Sequence, residues 1–399
     1  MLNSTVYGGK IIGDFMQKYD VYVCIISEQA AANLLPILDE KFRPNRAIFL
    51  ISSEMAEQGK YLEKVFNSKG IDVIYEELSN VYDFKKCNIE LLHIALKYKN
   101  ANLVLNITGG LKLLSIAAYQ AFSEIKKDIF YVDTRNRKIS FLTKDENGEF
   151  IKDISLDSKG EIELYLSAYG IKTICDNYEV NNKNLNAMID CFITSFDRYN
   201  EFLSKINSYA SNVKDFKSQL TSEDQENEEF HFLLTRLKNV NKGKGIIGYS
   251  DGVVDFRNAK IRFFMNGGWL EDFIYKKLSE IKLVSSIHCG LKVDNDLENT
   301  NDEIFDNELD IVFMANNKLH IIECKAGKIT VESGNKIIDK LNNLKRYGGT
   351  MTKACLVSYT YDMPYKVRKK AKSMNIEIIY GKALKDVEKS LEAWILRRD

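Results

Sequence analysis

Short apolar runs alternate with amphipathic stretches along the first part of the chain. Runs rich in β-branched and aromatic residues have strand length, and apolar residues at helical spacing follow them. The predicted strands cover residues 20–26, 47–52, 71–76, 103–108, 129–133 and 138–143. The predicted helices cover residues 30–40, a stretch ending near 69, 84–97 and 111–125. Because repeated strand–helix alternation builds a parallel sheet covered by helices, residues 1–150 are predicted to form a Rossmann-like domain.

The rest of the chain divides into a helical stretch and a second α/β pattern. Apolar residues recur at helical spacing over residues 164–175 and 185–203, and a short hairpin follows around Asp251 and Gly252. Residues 151–258 are therefore predicted to be a connecting helical module, and they carry no functional motif. Residues 259–399 open with a helix after Gly267 and Gly268 and continue as strands and helices, which predicts a second α/β domain.

Composition and charge indicate the cellular compartment and the class of binding partner to expect. With 45% hydrophobic and 28% charged residues, the chain is typical of a globular protein. It contains no apolar run of the roughly 18 residues that predict a membrane span. Seven cysteines without a C-x-x-C pair and four scattered histidines disfavour disulfides and zinc, so we expect a cytoplasmic protein. The formal net charge is zero, yet residues 336–399 hold fifteen Lys or Arg against seven Asp or Glu, which suits a polyanionic partner.

The run from Glu308 to Lys325 predicts a β-hairpin with polar side chains on one face. Asn316-Asn317 is turn chemistry between two β-rich runs, and a turn centred there opposes Asp310 to Glu323 and Glu308 to Lys325. Side chains alternate along a strand, so all four point to the same face. Apolar neighbours indicate buried strands, in which opposed carboxylates repel each other unless a cation or a proton neutralises them. Mg²⁺ or Mn²⁺ is the simplest remedy, and a ladder of ordinary ion pairs is the alternative.

Asp310, followed on the next strand by Glu323-Cys324-Lys325, resembles the signature of the PD-(D/E)XK nuclease superfamily. The proline that often precedes the first acid is absent, since the local sequence is Asn307-Glu308-Leu309-Asp310. The resemblance implies a metal-dependent phosphodiester hydrolase in which Asp310, Glu323 and Lys325 are catalytic. It also implies that Mg²⁺ or Mn²⁺ is bound by Asp310, Glu323, the Cys324 carbonyl and Glu271. For Glu271, which starts a helix, charge compensation at the helix N-terminus is the alternative.

Basic residues beyond this motif are candidates for contacts with nucleic acid. Lys340 lies on the side of the next helix where the superfamily often places a polar residue near the scissile phosphate. One short predicted helix is crowded with positive charge from Lys366, Arg368, Lys369 and Lys370. Such a face suits phosphate contacts, and a solvated surface lysine is the alternative at each position.

Two loops at the carboxyl ends of the N-terminal strands have chemistry suited to a ligand. One is Ser27-Glu28-Gln29, and the other runs from Asn106 through Thr108-Gly109-Gly110 to Lys112. Ligands of open α/β sheets bind at this edge, and glycines at a helix N-terminus free backbone amides for phosphate. The Thr108 hydroxyl and the Lys112 charge can add to such a site. The spacing fits neither a P-loop nor G-x-G-x-x-G, and a plain tight turn is the alternative.

Together the two loops resemble those of the CARF domain, the sensor of cyclic oligoadenylates in type III CRISPR immunity. The resemblance covers about residues 20–150 and includes the sequence Asn33-Leu34-Leu35-Pro36-Ile37. It implies a homodimer that binds one ring-shaped ligand across its two-fold axis. Cyclic tetra-adenylate is the expected activator, and the sequence leaves other ring sizes open. The ligand contacts that it implies are Ser27, Gln29, Asn106, Thr108, Gly109, Gly110 and Lys112.

The two resemblances together indicate an α/β fusion of a Rossmann-like CARF domain and a restriction-endonuclease-like PD-(D/E)XK domain, joined by the helical connector. Such a protein is expected to be a cyclic-oligoadenylate-activated, metal-dependent endonuclease of type III CRISPR antiviral defence. Its expected substrate is single-stranded DNA or RNA, or duplex DNA that it nicks. Two other functions stay open: a regulator that binds nucleic acid without cutting, and a ring nuclease that degrades the cyclic oligoadenylate. The intact Asp310, Glu323 and Lys325 set disfavours the regulator.

Overall fold

The computed structural model describes residues 19–156, 158, 160–175, 183–213, 215–240, 245–295 and 305–397. In this part of the chain, two compact units form. The first contains the described chain up to Thr173 and the segment Tyr347–Met351. The second contains Ile174–Val293, Phe305–Arg346 and the chain from Thr352 onward. None of the helices described is long and apolar enough to cross a membrane.

The first unit is built on a seven-stranded sheet. Its strands are β1 (Val21–Ile25), β2 (Arg46–Ile51), β3 (Asp72–Glu77), β4 (Leu103–Asn106), β5 (Asp128–Asp133), β6 (Lys138–Phe141) and β7 (Ile154–Ser155). Its helices are α1 (Ala31–Leu38), α2 (Ala56–Ser68), α3 (Phe84–Lys97), α4 (Lys112–Glu124) and α5 (Ile162–Ser167), with 3₁₀ turns at Glu40–Phe42 and Ser53–Met55. The order is β3-β2-β1-β4-β5-β6-β7, parallel as far as β5 and then antiparallel. This order confirms the predicted Rossmann-like layer.

The central strands of this sheet explain where its loops gather. Every residue of β1 and of β4 is buried, and nearly all are apolar, as expected for strands of a parallel sheet covered on both faces. The two strands pair directly in parallel. The loops that follow them, at Ser27 and at Thr108, therefore leave the sheet at the same edge.

The predicted connector, residues 151–258, is divided between the two units: its residues up to Thr173 belong to the first unit, and those from Ile174 onward belong to the second. They form α6 (Lys183–Thr194), α7 (Phe196–Ser211), α8 (Ser222–Glu226) and α9 (Glu228–Asn239), preceded by β8 (Lys172–Ile174). Three short strands, β9 (Lys217–Gln219), β10 (Gly248–Ser250) and β11 (Val253–Asp255), form a small sheet in the order β10-β11-β9. Phe192, Phe202 and Leu234 share one apolar cluster with Ile311 and Ile322 of the neighbouring sheet. From Leu185 onward this region is therefore part of a common core, and not a body of its own.

The second unit is completed by a mixed sheet with helices. Its further elements are α10 (Ala259–Phe263), a π-helical turn (Phe264–Gly268), α11 (Trp269–Glu280), β12 (Val284–Asp294), β13 (Asn307–Ala315), β14 (Lys318–Lys325), α12 (Val331–Leu344), β15 (Lys353–Ser358), α13 (Tyr365–Ser373), β16 (Ile376–Tyr380) and α14 (Val387–Leu396). The strands stand in the order β16-β15-β14-β13-β12. β12, β13 and β14 pair antiparallel, whereas β15 and β16 continue the sheet in parallel. This is the second α/β domain expected from the sequence.

The β13–β14 hairpin has the predicted turn and pairing. Asn316 and Asn317 have positive φ angles of 52° and 61°, as a two-residue type I′ turn requires. The register runs from Ile311 opposite Ile322 to Ala315 opposite Lys318. Both strands are buried through this stretch, which confirms that the hairpin lies in the centre of the sheet.

Candidate active site and ligand-binding loops

Asp310 and Glu323 are the next pair beyond the hydrogen-bonded ladder of the hairpin. The backbone N–H of Cys324 donates a hydrogen bond of 2.7 Å to Asp310 Oδ2, so the main chain of β14 orients this carboxylate. Glu323 is only 3% exposed, and the Asp310 side chain is 14% exposed. Two carboxylates on neighbouring strands are thus largely removed from water.

Two lysines neutralise this pair. Lys325 Nζ lies 2.8 Å from Glu323 Oε1 and 3.7 Å from Asp310 Oδ2. Lys340 Nζ lies 2.8 Å from the other oxygen, Glu323 Oε2. The ion pairs therefore converge on Glu323 and do not form a ladder along the strands. Lys340, expected to contact nucleic acid, is engaged with a candidate metal ligand.

A kink ahead of α11 brings Glu271 to the same place. Gly267 has a φ of 110°, a conformation that glycine adopts without the strain that a side chain brings. A Cβ atom at Gly268 would collide with the Phe263 ring. These glycines permit the π-helical turn, and Glu271 follows in the first turn of α11. There it lines one cleft with Cys324 and Lys325.

The close packing of these charges shifts three pKa values. Burial, and then the charge of Asp310, raises the pKa of Glu271 to about 9. Burial, and then the charge of Glu323, raises the pKa of Asp310 to about 6. Burial alone lowers the pKa of Lys325, but the Asp310 and Glu323 carboxylates outweigh it, so this pKa is above its ordinary value. Carboxylate oxygens in one buried region are the donor type that a hard divalent ion prefers, so Glu271, Asp310 and Glu323 are candidate ligands for Mg²⁺ or Mn²⁺.

We expect the free energy of unfolding of the metal-free protein to fall as the pH rises from about 5 to about 9. In the Glu271→Gln variant this fall should be smaller. Because the folded-state pKa of Glu271 is raised to about 9, the folded protein keeps a proton that the unfolded chain has released. Stability therefore falls with rising pH, by at most about 1.4 kcal/mol per pH unit for one proton. Denaturant unfolding in EDTA across this range measures the slope. Glu280→Gln, an exposed acid of the same helix, is the control, and equal slopes for both variants would contradict the assignment.

The cleft beside these side chains has a volume of about 370 Å³. Glu271 and Lys325 lie on its wall, together with Asn207 of α7 and the loop of residues 326–329 that follows β14. This volume is within the range of about 300–1,000 Å³ that is common for small-molecule sites. Of the candidate site residues, Glu271, Cys324 and Lys325 therefore border open space.

The basic residues of α13 fall into two groups. Lys366, Arg368 and Lys369 are exposed, whereas Lys370 Nζ pairs with Asp339 Oδ2 at 2.6 Å and donates to the Asn335 carbonyl oxygen. Lys370 thus ties α13 to α12. The other three present positive charge to solvent, as a phosphate-contacting face requires.

In the first unit, the two predicted ligand loops lie against each other. A Cβ atom at Gly109 would collide with the Ile25 carbonyl oxygen and would lie 3.1 Å from Ser27 Oγ. Gly110 has a φ of 82° and packs against the Ile25 side chain. The glycines are therefore needed for this close approach, which brings Ser27 to the start of α4. Lys112 is the first residue of that helix, and its side chain is exposed.

Asn106 and Thr108 support these loops from beneath. Asn106 is wholly buried, and its Nδ2 donates to Tyr22 Oη at 2.7 Å and to Asn33 Oδ1 at 3.0 Å. The Thr108 hydroxyl donates to Asn106 Oδ1 at 2.6 Å and accepts from the Val132 N–H at 2.7 Å. The buried side chain of Asn106 thus supports the loops, and the direct ligand contact expected of it stays a prediction. Tyr22 and Asn33, which the site prediction omitted, complete this network.

Gln29 contacts a segment that is distant in sequence. Its Oε1 accepts hydrogen bonds from the Thr350 N–H at 3.1 Å and from the Thr350 hydroxyl at 3.0 Å. Gly349 has a φ of 72°, and a Cβ atom there would lie 2.8 Å from Gln29 Oε1. Thr350 belongs to the first unit, although it stands in the sequence between α12 and β15. A predicted ligand loop thus contacts the segment that connects α12 to β15 in the sequence. The helix α12 contains Lys340, and β15 pairs with β14, which contains Glu323.

Family models match both halves of the chain. Residues 21–158 match the Card1 CARF domain, and residues 258–398 match the Card1-like endonuclease domain. The chain joins a Card1 CARF domain to a Card1-like endonuclease domain. Both ligand loops lie within the CARF match, and Glu271, Asp310, Glu323 and Lys325 lie within the endonuclease match. No curated protein matches the chain.

Solved structures share this two-domain fold. Protein VC1899 from Vibrio cholerae is 22% identical, with a TM-score of 0.82 over 94% of this chain and 97% of that chain. Can2 from Sulfobacillus thermosulfidooxidans, in complex with cyclic tetra-adenylate, is 24% identical, with a TM-score of 0.78 over 95% and 100%. A type III CRISPR defence DNA nuclease activated by cyclic oligoadenylate is 16% identical, with a TM-score of 0.54 over 89% and 52%. At these identities the likeness concerns the fold of the CARF and endonuclease domains.

Proposed function

We propose that this protein is a metal-dependent PD-(D/E)XK endonuclease that a cyclic oligoadenylate activates in the cytoplasm. The proposal rests on one observation. Lys325 contacts both Glu323 and Asp310, and it borders the open cleft that Glu271 also lines. Can2, which shares the fold, binds cyclic tetra-adenylate, so we take this ring as the activator. Single-stranded DNA or RNA is the proposed substrate, with nicking of duplex DNA as a further activity, and type III CRISPR defence is the proposed setting.

In this proposal, the buried oxygens hold the metal and the main chain orients them. Asp310, Glu323, the Cys324 carbonyl and Glu271 would bind Mg²⁺ or Mn²⁺. A bound ion polarises the scissile phosphodiester and lowers the pKa of the attacking water. The Cys324 N–H fixes the position of Asp310. Glu271, with a pKa raised to about 9, gives up its proton to become a ligand.

Lys325 serves this reaction as a cation beside the metal ligands. In the metal-free protein the Asp310 and Glu323 carboxylates raise its pKa above the ordinary value of a lysine, so its side chain is an ammonium group that donates hydrogen bonds. A protonated Lys325 orients the attacking water and offsets the negative charge that grows on the phosphate. Lys340 keeps Glu323 in place from the other side.

A second copy of the chain is the proposed partner of the CARF domain. Apolar side chains that lie exposed on α4 include Leu113 at 49%, Ile116 at 55% and Tyr119 at 39%. This face starts directly after the ligand loop with Gly109 and Gly110. An isologous dimer through α4 covers it and brings two copies of the loop to one axis, where a ring-shaped ligand can contact both.

Cleavage of labelled oligonucleotides tests the proposal. We expect single-stranded DNA or RNA to be cut with Mn²⁺ or Mg²⁺ and cyclic tetra-adenylate, and EDTA to stop the reaction. Binding of the oligonucleotide without cutting under all these conditions would identify a regulator instead. Loss of the cyclic tetra-adenylate itself, followed by chromatography, would identify a ring nuclease.

Lys112→Ala is expected to weaken binding of cyclic tetra-adenylate, and the loss should be larger at low salt. Lys112 is exposed at the N-terminus of α4, where an ammonium group attracts phosphate and salt screens the attraction. Calorimetry at two salt concentrations measures the effect, and it also tests the expected stoichiometry of one ring per two chains. Lys85→Ala, at an exposed lysine in the first turn of α3, is the control. An unchanged affinity for Lys112→Ala would place the ligand elsewhere.

A further inference from the structure

A second cleft adjoins the candidate active site. It has a volume of about 490 Å³ and lies between α7 and residues 359–364, which connect β15 to α13. Residues 326–329 line this cleft and also the cleft that contains Glu271 and Lys325. A strand whose phosphate is held at Lys325 can therefore extend directly into the second cleft.

Tyr361 presents an aromatic ring to the second cleft. The residue is 65% exposed, and its ring centroid lies 6.1 Å from that of Phe196. Lys382 Nζ lies 5.9 Å from the Tyr361 ring and is itself held by Asp197 at 2.9 Å. These contacts fix the position of the ring while most of its surface faces solvent. Exposed rings beside a nucleic-acid path serve as stacking platforms, since every base has a π-face.

The charges around Tyr361 distinguish where a base and a phosphate can lie. Glu201 and Asp362 are exposed carboxylates on the cleft wall, so they repel phosphate but accept hydrogen bonds from the amino groups of bases. Lys328 is exposed on the loop that both clefts share. The interior of the cleft therefore favours a base, and its rim toward the active site favours a phosphate.

We propose that this second cleft, here named the base cleft, accepts one unpaired base of the substrate next to the scissile phosphate. Tyr361 stacks on the base, and Lys328 contacts the adjoining phosphate. The volume of the base cleft is within the range of small-molecule sites, about 300–1,000 Å³, so a nucleobase fits. A base inside a duplex enters only after it is unpaired and unstacked, which costs a few kcal/mol. The inference rests on the proposed nuclease function and gives that function a structural reason for preferring unpaired strands.

Steady-state cleavage of a labelled single-stranded DNA by the full chain, with Mn²⁺ and cyclic tetra-adenylate, tests the base cleft. We expect Tyr361→Ala to raise KM about tenfold, in the range for loss of one base–aromatic stack, with kcat changed less than about twofold. Tyr361→Phe keeps the ring and should retain the wild-type KM. Tyr82→Ala, at an exposed tyrosine of the first unit, is the control for loss of a tyrosine. A wild-type KM for Tyr361→Ala, or a failure of Tyr361→Phe to restore it, would overturn the proposal.

A substrate series locates the base. An abasic nucleotide is placed in turn at each position of the oligonucleotide. At one position the abasic nucleotide should weaken binding to the wild type by the same factor as Tyr361→Ala weakens binding of the intact oligonucleotide. The abasic nucleotide and Tyr361→Ala together should lose no more binding free energy than either change alone. Additive losses at every position would overturn the proposal. Fluorescence anisotropy of the same oligonucleotides in EDTA measures these binding affinities without cleavage. It therefore tests the base cleft even if the wild type cuts nothing and the nuclease proposal fails.

Discussion

Asp310→Asn and Glu323→Gln are each expected to reduce cleavage by more than about 100-fold. Each change replaces a negatively charged oxygen donor by a neutral amide in the proposed metal site. Loss of groups that merely stand behind metal ligands already costs about 10–100-fold, so loss of a ligand should cost more. Single-turnover cleavage at saturating activator measures the effect. Wild-type cleavage by either variant would remove that residue from the site.

The same two variants should change the stability of the metal-free protein in opposite directions. Asp310→Asn removes a charge that burial, and then the charge of Glu323, already disfavours, as the pKa of Asp310, raised to about 6, indicates. We expect a stabilisation of about 1–3 kcal/mol at pH 8. Glu323→Gln instead leaves Lys325 and Lys340 without the carboxylate that both contact at 2.8 Å, so it should destabilise. Thermal unfolding in EDTA distinguishes the two, and shifts of the same sign would contradict the described network.

The hairpin of the candidate site could be predicted because local chemistry specifies it. Asn316 and Asn317 favour positive φ, and the β-rich runs on either side determine the pairing once that turn is in place. Asp310 and Glu323 follow from this register alone. Glu271 was predicted differently: the superfamily resemblance implies an acid on the first helix, and the apolar stripe of that helix places Glu271 at the border of the core.

Other parts depend on tertiary packing that no local pattern encodes. Lys340 differs from a surface lysine only because α12 packs against β14, where Glu323 is buried. Asn106 is a polar residue where a predicted strand meets a ligand loop, yet it is wholly buried because Tyr22 and Asn33 supply its hydrogen-bond partners. The strand β12 was not predicted, since its polar residues alternate with few strongly apolar ones. Its place beside β13 is decided by pairing across the sheet.

The contact between Gln29 and Thr350 offers a route for activation. Gln29 lies on a proposed activator loop, and the segment Tyr347–Met351 leads in sequence from α12 to β15. The helix α12 carries Lys340, which holds Glu323. A ligand that moves Gln29 therefore acts on a segment that follows α12 in the sequence. Ligand binding can shift such an equilibrium only by the difference of its affinities for the resting and active states.

Cleavage without cyclic tetra-adenylate is accordingly expected to be at least about 100-fold slower, which corresponds to about 2.7 kcal/mol of preference for the active state. Thr350→Val removes the hydroxyl that donates a hydrogen bond to Gln29, so it should reduce this activation, and Thr350→Ser should keep it.

Coupling of binding free energies is reciprocal, so a bound oligonucleotide must tighten activator binding by the factor with which the activator tightens oligonucleotide binding. Calorimetry on Lys325→Ala, chosen to prevent turnover, with and without a phosphorothioate oligonucleotide gives this factor. Equal activator affinities in both titrations would mean that substrate binding and activator binding are independent. Wild-type activation of Thr350→Val would mean that Gln29 and Thr350 form a structural contact alone.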